Sequence, residues 1–348
     1  MRIALLGAGR IGASHAAALT AHPAVSHLVV ADADPERART AAERAGAEAL
    51  TDVDAVFAAA PQAVVIATPT ATHADLILRA VAAGIPVFCE KPAAADVKQT
   101  VEVARAVAES GVPVQIGFQR RFDAGYQAAR AALRAGDLGV LHRLHLVTAD
   151  PAPPHADYIP LSGGIFRDCH IHDFDIARWL TGQEVVEVYA TGSNRGAAFF
   201  ADAGDVDTST AILTFADGTL ATVQGSRYNG AGYDVRAELA GTAGTLVVGL
   251  DPRAPMRSAE PGVAASGEPA WPDFWHRFQP AYVAELTAFV DVAAGRAPSP
   301  CTVDEALEAL YIAEAADLSR RERRPVRLDE VRLTATASTP AAGLGSAR

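Results

Sequence analysis

The feature that most constrains this chain lies at its amino end. A short apolar run, Ile3 to Leu6, leads directly into Gly7-Ala8-Gly9-Arg10-Ile11-Gly12, and an Ala-rich, helix-forming stretch follows. A G-x-G-x-x-G between strand and helix gives each glycine its own task. The first makes the tight turn, the second lets a pyrophosphate approach the backbone, and the third lets helix and strand pack closely. The helix N-terminus then offers free N–H groups and the positive end of its dipole to phosphates. Asp32 stands 20 residues after Gly12, at the end of a second apolar run, Leu28 to Ala31. A carboxylate there can accept hydrogen bonds from both ribose hydroxyls, and it repels a 2′-phosphate. Ala33 follows, with no Arg there to hold such a phosphate, so NAD is expected over NADP. Gly7, Gly9, Arg10, Ile11, Gly12 and Asp32 are the first cofactor-binding candidates.

The alternation continues along the chain. PERARTAAERAG reads as a helix that opens at Pro35 and stops at Gly46. Ala63 to Ala67 is an unbroken apolar run, as a parallel strand covered on both faces requires. Asp75 to Ala83 reads as helix, Ile85 to Cys89 as strand, the run from Ala95 to Gly111 as helix, and Val114 to Gly117 as strand. Such alternation predicts βαβ units and an open parallel sheet. After about residue 120 the texture changes. Leu141–Val147, Val185–Thr191, Thr208–Phe215, Thr219–Gln224, Tyr233–Leu239 and Gly244–Val248 all read as strands, with a turn signal at Asp217-Gly218. Residues 251–272, rich in Pro, Ala and Gly, read as a surface loop, and amphipathic helices are expected over about 280–294 and 303–320.

The expected class is α/β: an N-terminal dinucleotide-binding domain of the Rossmann type, then an α+β domain with a large, mostly antiparallel open sheet. The boundaries expected are 1–120 and 121–333, with a disordered tail over 334–348 that has almost nothing to bury. A length of 348 residues agrees with about two domains. The 30 Lys+Arg against 41 Asp+Glu give a formal charge of −11, which argues against a nucleic-acid partner. No apolar run reaches the ~18 residues of a membrane span, and the first residues lack the pattern of a signal peptide. Three scattered cysteines suggest no disulfide framework. A reduced, cytoplasmic setting is expected, with neither nucleic acid nor membrane as partner.

Further motifs follow the glycine turn: ATPTATH (67–73), Glu90-Lys91-Pro92, GFQRRFD (117–123) and Asp168-x-x-x-His172-x-x-Asp175. Together with GAGRIG (7–12), they resemble the Gfo/Idh/MocA family of oxidoreductases from Arg2 to about Leu333. FCEKP, GFQRRFDAGY, Gly232-Tyr233-Asp234 and HRFQPAY are most similar to the inositol 2-dehydrogenase branch. The resemblance implies a homo-oligomer, dimer or tetramer, commonly assembled through the sheet faces. It also implies roles at matching positions. Thr68, Pro69 and His73 line the nicotinamide side of the cofactor, Glu90 approaches the cofactor ribose, and Lys91 reaches both nicotinamide and substrate. Asp168 and His172 complete the catalytic group, and Arg120, Asp175 and Tyr233 stand at or near the substrate.

Oxidation of a secondary alcohol needs a base, because the carbinol proton must leave as the hydride moves. An imidazole with a reference pKa of ~6.5 suits that task, and His172 is the expected base. Asp168, four residues earlier, shares its face on a continuous helix and would orient the ring. Lys91 would stabilise the developing alkoxide; the alternative, Lys91 as base, needs a strongly depressed pKa. Asp168 with His172 is also a usable metal-ligand pair. No second Cys/His cluster supports it, so no metal is expected. His170 and Trp179 read as structural residues, and RRERR (320–324) as a solvated helix end. Arg120 reads equally as an ion-pair residue, and Tyr233 equally as a plain strand residue.

The substrate rim reads Val147-Thr148-Ala149-Asp150-Pro151, where inositol dehydrogenases tend to carry His and Asn in place of Thr148 and Asp150. Asp150 is therefore a substrate-binding candidate whose identity redirects specificity, since buried polar groups left unpaired are costly. The function expected is an NAD-dependent dehydrogenase that oxidises a ring secondary alcohol of a cyclitol or sugar, such as myo-inositol, to the ketone. Two alternatives use the same cofactor: an NAD-assisted glycoside-cleaving or other sugar-modifying enzyme, and a non-catalytic dinucleotide-binding regulator.

Overall fold

The computed structural model describes residues 1–264 and 267–337. Six strands form the first sheet: β1 (Arg2–Leu6), β2 (His27–Ala31), β3 (Glu48–Leu50), β4 (Ala63–Ile66), β5 (Val87–Glu90) and β6 (Val114–Gly117). They run in the order β3-β2-β1-β4-β5-β6, and every neighbouring pair is parallel. The order reverses beside β1, so a crevice opens past the carboxyl ends of β1 and β4, where such sheets bind ligands. All four residues of β4 are buried, as its unbroken apolar run requires. Helix Pro35–Ala45 begins where expected: Asp34 accepts from the N–H groups of Glu36 and Arg37, and Gly46 ends it in the left-handed region at φ 66°. β3 and the six-residue helix Val53–Ala58 went unread in the sequence, because both are short and half-exposed.

Seven strands form the second sheet: β7 (Leu141–Ala149), β8 (Val185–Ser193), β9 (Thr208–Phe215), β10 (Leu220–Ser226), β11 (Asp234–Gly241), β12 (Thr245–Val248) and β13 (Val326–Arg327). Their order is β12-β11-β7-β10-β9-β8-β13. The pairs are antiparallel except β7 with β10, which run parallel and end together, Ser226 beside Ala149. Along one row the register sets Tyr189 beside Ile212, then Thr222, His145, Glu238 and Val247. Tyr189, Ile212 and Val247 are exposed, so this face of the sheet stands open.

The carboxyl-terminal helices tie the two sheets together. Helix Phe274–Ala293 starts six residues before its expected position and contains Pro280. It returns to the first sheet, where Leu286, Phe289 and Val290 join one core with Ile3, Leu5 and Val65. Helix Val303–Glu322 lies against β8 and helix Val97–Ser110. Helix Leu328–Ala337 covers the first residues of the expected tail, whose remainder, 338–348, lies outside the described residues. Among the described residues no helix is long and apolar enough to cross a membrane.

Candidate active site

At the first and third glycines of the turn the backbone leaves no room for a side chain. Gly7 holds φ 97°, and a Cβ on it would lie 2.4 Å from the Ala67 carbonyl oxygen; a Cβ on Gly12 would lie 1.9 Å from the Gly7 carbonyl oxygen. Gly9 differs, because a Cβ there meets nothing within 4 Å. Its surface faces open space at the start of helix Arg10–Ala21, which has no acidic residue in its first turn and no side-chain cap. These features fit a pyrophosphate group: bare backbone, free N–H groups and a positive helix end. Asp32 Oδ2 accepts from Ala8 N–H at 2.8 Å, and Oδ1 accepts from Asp34 N–H at 2.8 Å and from Arg37. Burial raises the Asp32 carboxyl, yet these bonds hold it below the ordinary aspartate value. Oδ2 carries a single bond and keeps a lone pair for a ribose hydroxyl.

Beyond the turn lies a cleft of about 690 Å³. Arg10, Ile11, Thr68, His73 and Glu90 line the cleft together with Lys91, Arg120, Asp150, Asp168, His172 and Tyr233. Arg10 stacks over Phe274, 4.8 Å from the ring centre, so the returning helix walls the cleft. His73 is buried; its Nδ1 lies 2.7 Å from the Pro92 carbonyl oxygen and its Nε2 2.9 Å from that of Thr68. It thereby braces the Thr68–Pro69 loop against the segment after β5. Glu90 Oε1 lies 2.7 Å from Nε2 of His15, a buried residue of the first helix that the sequence reading did not single out.

The pairing expected between Asp168 and His172 does not form. Helix Ile165–Asp168 ends at Asp168, and a new helix, Ile171–Thr181, carries His172. The Asp168 carbonyl, which a continuous helix would give to the N–H of His172, accepts from Lys91 Nζ at 2.9 Å, while His172 N–H turns to the Cys169 carbonyl. The Asp168 carboxylate makes three contacts: Lys91 Nζ at 3.4 Å, Tyr158 O–H at 2.9 Å and Arg227 Nη2 at 2.7 Å. Burial raises this carboxyl, but Lys91, Arg227 and Tyr158 together keep it below the ordinary value. His172 packs edge-on against Phe118, and its Nδ1 is buried with no hydrogen-bond partner. Burial, reinforced by the positive charges of Lys91 and Arg120, pushes its imidazole well below the ordinary histidine value. The shift favours the uncharged ring, and it makes that ring a weaker proton acceptor than a free imidazole.

Arg120 and Asp175 separate in the structure. Arg120 lines the cleft and is also an ion-pair residue: its Nη1 donates to Asp173 at 2.5 Å and its Nη2 to Thr148 at 2.9 Å. Asp173 also binds His170 Nδ1 at 2.8 Å, and Ser209 takes the other ring nitrogen at 2.7 Å, so His170 is structural. Asp175 is absent from the cleft lining. It forms a buried ion pair with Arg121, which reaches on to Glu305. Among the described residues no cluster of three metal-ligating side chains occurs. Tyr158 and Arg227 touch the site carboxylate but carry no local sequence signal; only their place at strand and loop ends brings them in.

Two substitutions check this geometry. Gly12→Ala is expected to destabilise the fold by about 1–3 kcal/mol through forced separation of strand and helix, whereas Gly9→Ala leaves the melting temperature nearly unchanged. Asp175→Asn removes one partner of a buried ion pair, and a loss of roughly 3–5 kcal/mol in thermal or denaturant unfolding is expected.

Comparison with known proteins agrees with this construction. Residues 1–118 match the oxidoreductase family with an NAD-binding Rossmann fold, and residues 126–247 match the GFO/IDH/MocA C-terminal domain. The chain is 40% identical over 323 residues to a myo-inositol dehydrogenase of Streptomyces leeuwenhoekii, covering 92% of this chain and 97% of that protein. The crystal structure of a myo-inositol dehydrogenase from Corynebacterium glutamicum superposes with a TM-score of 0.87 at 38% identity, covering 94% of this chain and 98% of that one. That of scyllo-inositol dehydrogenase from Lactobacillus casei, with bound NAD(H) and scyllo-inositol, superposes with a TM-score of 0.85 at 28% identity, covering 94% and 99%. With both halves matched and the glycine turn intact, the chain belongs to the Gfo/Idh/MocA family and is an NAD-dependent oxidoreductase.

Proposed function

We propose that this chain oxidises a ring secondary alcohol of a cyclitol, myo-inositol or a close isomer, to the ketone, with His172 as the base. The observation that carries this reading is one cleft that brings the His172 imidazole and Lys91, anchored on the Asp168 carbonyl, together beside the cofactor turn. The names of the inositol dehydrogenases it is similar to support the substrate class.

NAD, when bound, supplies the hydride acceptor. Gly7, Gly9, Gly12, Arg10, Ile11 and Asp32 would hold its pyrophosphate and ribose, and Thr68, Pro69, His73 and Glu90 its nicotinamide end. His172 accepts the hydroxyl proton as the hydride leaves the same carbon, so O–H and C–H bonds break and a C=O bond forms. Lys91 donates to that oxygen and stabilises the negative charge developing there. Asp168 anchors Lys91 through its carbonyl and carboxylate and does not touch the imidazole. Asp150, Arg120 and Tyr233 face the hydroxyls away from the reacting carbon. The open face of the second sheet, with Tyr189, Ile212 and Val247 exposed, is the proposed surface for a homo-oligomer.

NADH absorbance with purified protein, NAD and a panel of cyclitols and aldoses tests the reading. A clear rate with myo-inositol or scyllo-inositol is expected; no NADH from any member would overturn it. His172→Ala is expected to lower kcat by about 10²–10⁴-fold while NAD binding, followed by protein fluorescence, stays unchanged. Near-normal turnover would remove His172 as base.

A further inference from the structure

We propose that Arg227 is a positioning residue of this site: its guanidinium yokes Asp168 to the rim residue Asp150 and so fixes the charge that anchors Lys91. The inference deepens the dehydrogenase reading above and rests on it for the roles of Lys91 and Asp168.

The geometry starts from the sheet. β7 and β10 run parallel and end in register, so Asp150 and Arg227 leave the two strands side by side. Backbone bonds hold both ends: Asp150 N–H donates to Ser226 O at 2.9 Å, and Arg227 N–H donates to Asp207 O at 2.7 Å. The Arg227 side chain is 3% exposed and lies between two carboxylates. Nη1 donates to Asp150 Oδ2 at 3.1 Å, and Nη2 donates to Asp168 Oδ2 at 2.7 Å.

A buried guanidinium is always charged and needs compensation, and two mostly buried carboxylates need a cation between them. The groups facing Asp168 are Lys91 after β5, Arg227 after β10, Tyr158 from the 156–158 turn, and Asp150 and Cys169, which oppose its charge or crowd it. Removing Arg227 leaves Asp150 and Asp168 to repel each other, with Lys91 as the remaining cation and Tyr158 as the remaining neutral donor on Asp168. Two acids that share a site cannot both stay ionised easily, and one takes up a proton. If that acid is Asp168, Lys91 loses half of its anchor. Cys169 and Arg227 both meet Asp150 at Oδ2, so Oδ1 can accept a substrate hydroxyl, and the arginine connects that contact with the acid behind Lys91.

The test follows the Asp168 carboxyl in the full-length protein by ¹³C NMR, with Asp168→Asn to assign its signal. In the parent protein, titrated from about pH 2 to pH 8, Asp168 is expected to lose its proton below the ordinary aspartate value of ~3.9. In Arg227→Gln it is expected to titrate about 1–3 pH units higher, and Arg227→Lys to recover part of the difference. In parallel, the acid limb of kcat/KM for myo-inositol moves up in Arg227→Gln while KM for NAD holds. An Asp168 signal that titrates alike in parent and Arg227→Gln would overturn the proposal. Should Arg227→Gln fail to fold, Asp150→Asn asks the same question in reverse. Arg227, freed of one acid, then holds Asp168 ionised to still lower pH, and no change would overturn the yoke. Absence of turnover in the parent protein would count against the cyclitol reading alone, since the carboxyl titration needs no substrate.

Discussion

The site depends on a buried run of charge in which Lys91, Asp168 and Arg227 compensate one another. Taking any one of these groups out of water unpaired is prohibitive, and the cost is met only where each charge finds opposite charge and hydrogen bonds. Asp168 is the middle member, with Lys91 on one side and Arg227 and Tyr158 on the other. The same positive field explains the state of His172. With Lys91 and Arg120 close by and no carboxylate bonded to its ring, the imidazole has every reason to remain uncharged. Burial is the larger cause, and the charges of Lys91 and Arg120 add to it.

The scaffold supplies these groups from separated stretches of chain. Lys91 follows a strand of the parallel sheet, Asp168 and His172 flank a helix break, and Arg227 and Asp150 leave a parallel strand pair. The helix break and the lysine belong together. Ending a helix at Asp168 frees its carbonyl, and Lys91 Nζ takes that carbonyl as an acceptor. The cofactor turn and the chemistry meet because helix Phe274–Ala293 returns to the first sheet and places Phe274 under Arg10.

What the sequence made legible is what local chemistry determines. The tight turn at Gly7, the close packing at Gly12, the apolar strand β4 and the capped helix Pro35–Ala45 each follow from a few adjacent residues, and the structure shows each of them. The spacing of Asp168 and His172 misled, because an i, i+4 pair shares a face only if the helix runs unbroken between them. Here a tertiary contact from Lys91 competes for the backbone, and no local pattern announces it. Asp175 misled in a related way: its motif position suggested the substrate, but its helix face meets Arg121 in the core. Tyr158, His15 and Arg227 were not legible at all, since each joins the site through contacts with residues distant in the chain.

The central claim, that the imidazole proposed as base is kept neutral by burial and by neighbouring positive charge, is open to direct measurement. The ring nitrogens of His172 can be followed by ¹⁵N NMR from about pH 5.5 to pH 8, with His172→Gln identifying the signal. The account predicts a neutral imidazole throughout that range. A protonation step near the ordinary histidine value of ~6.5 would contradict it.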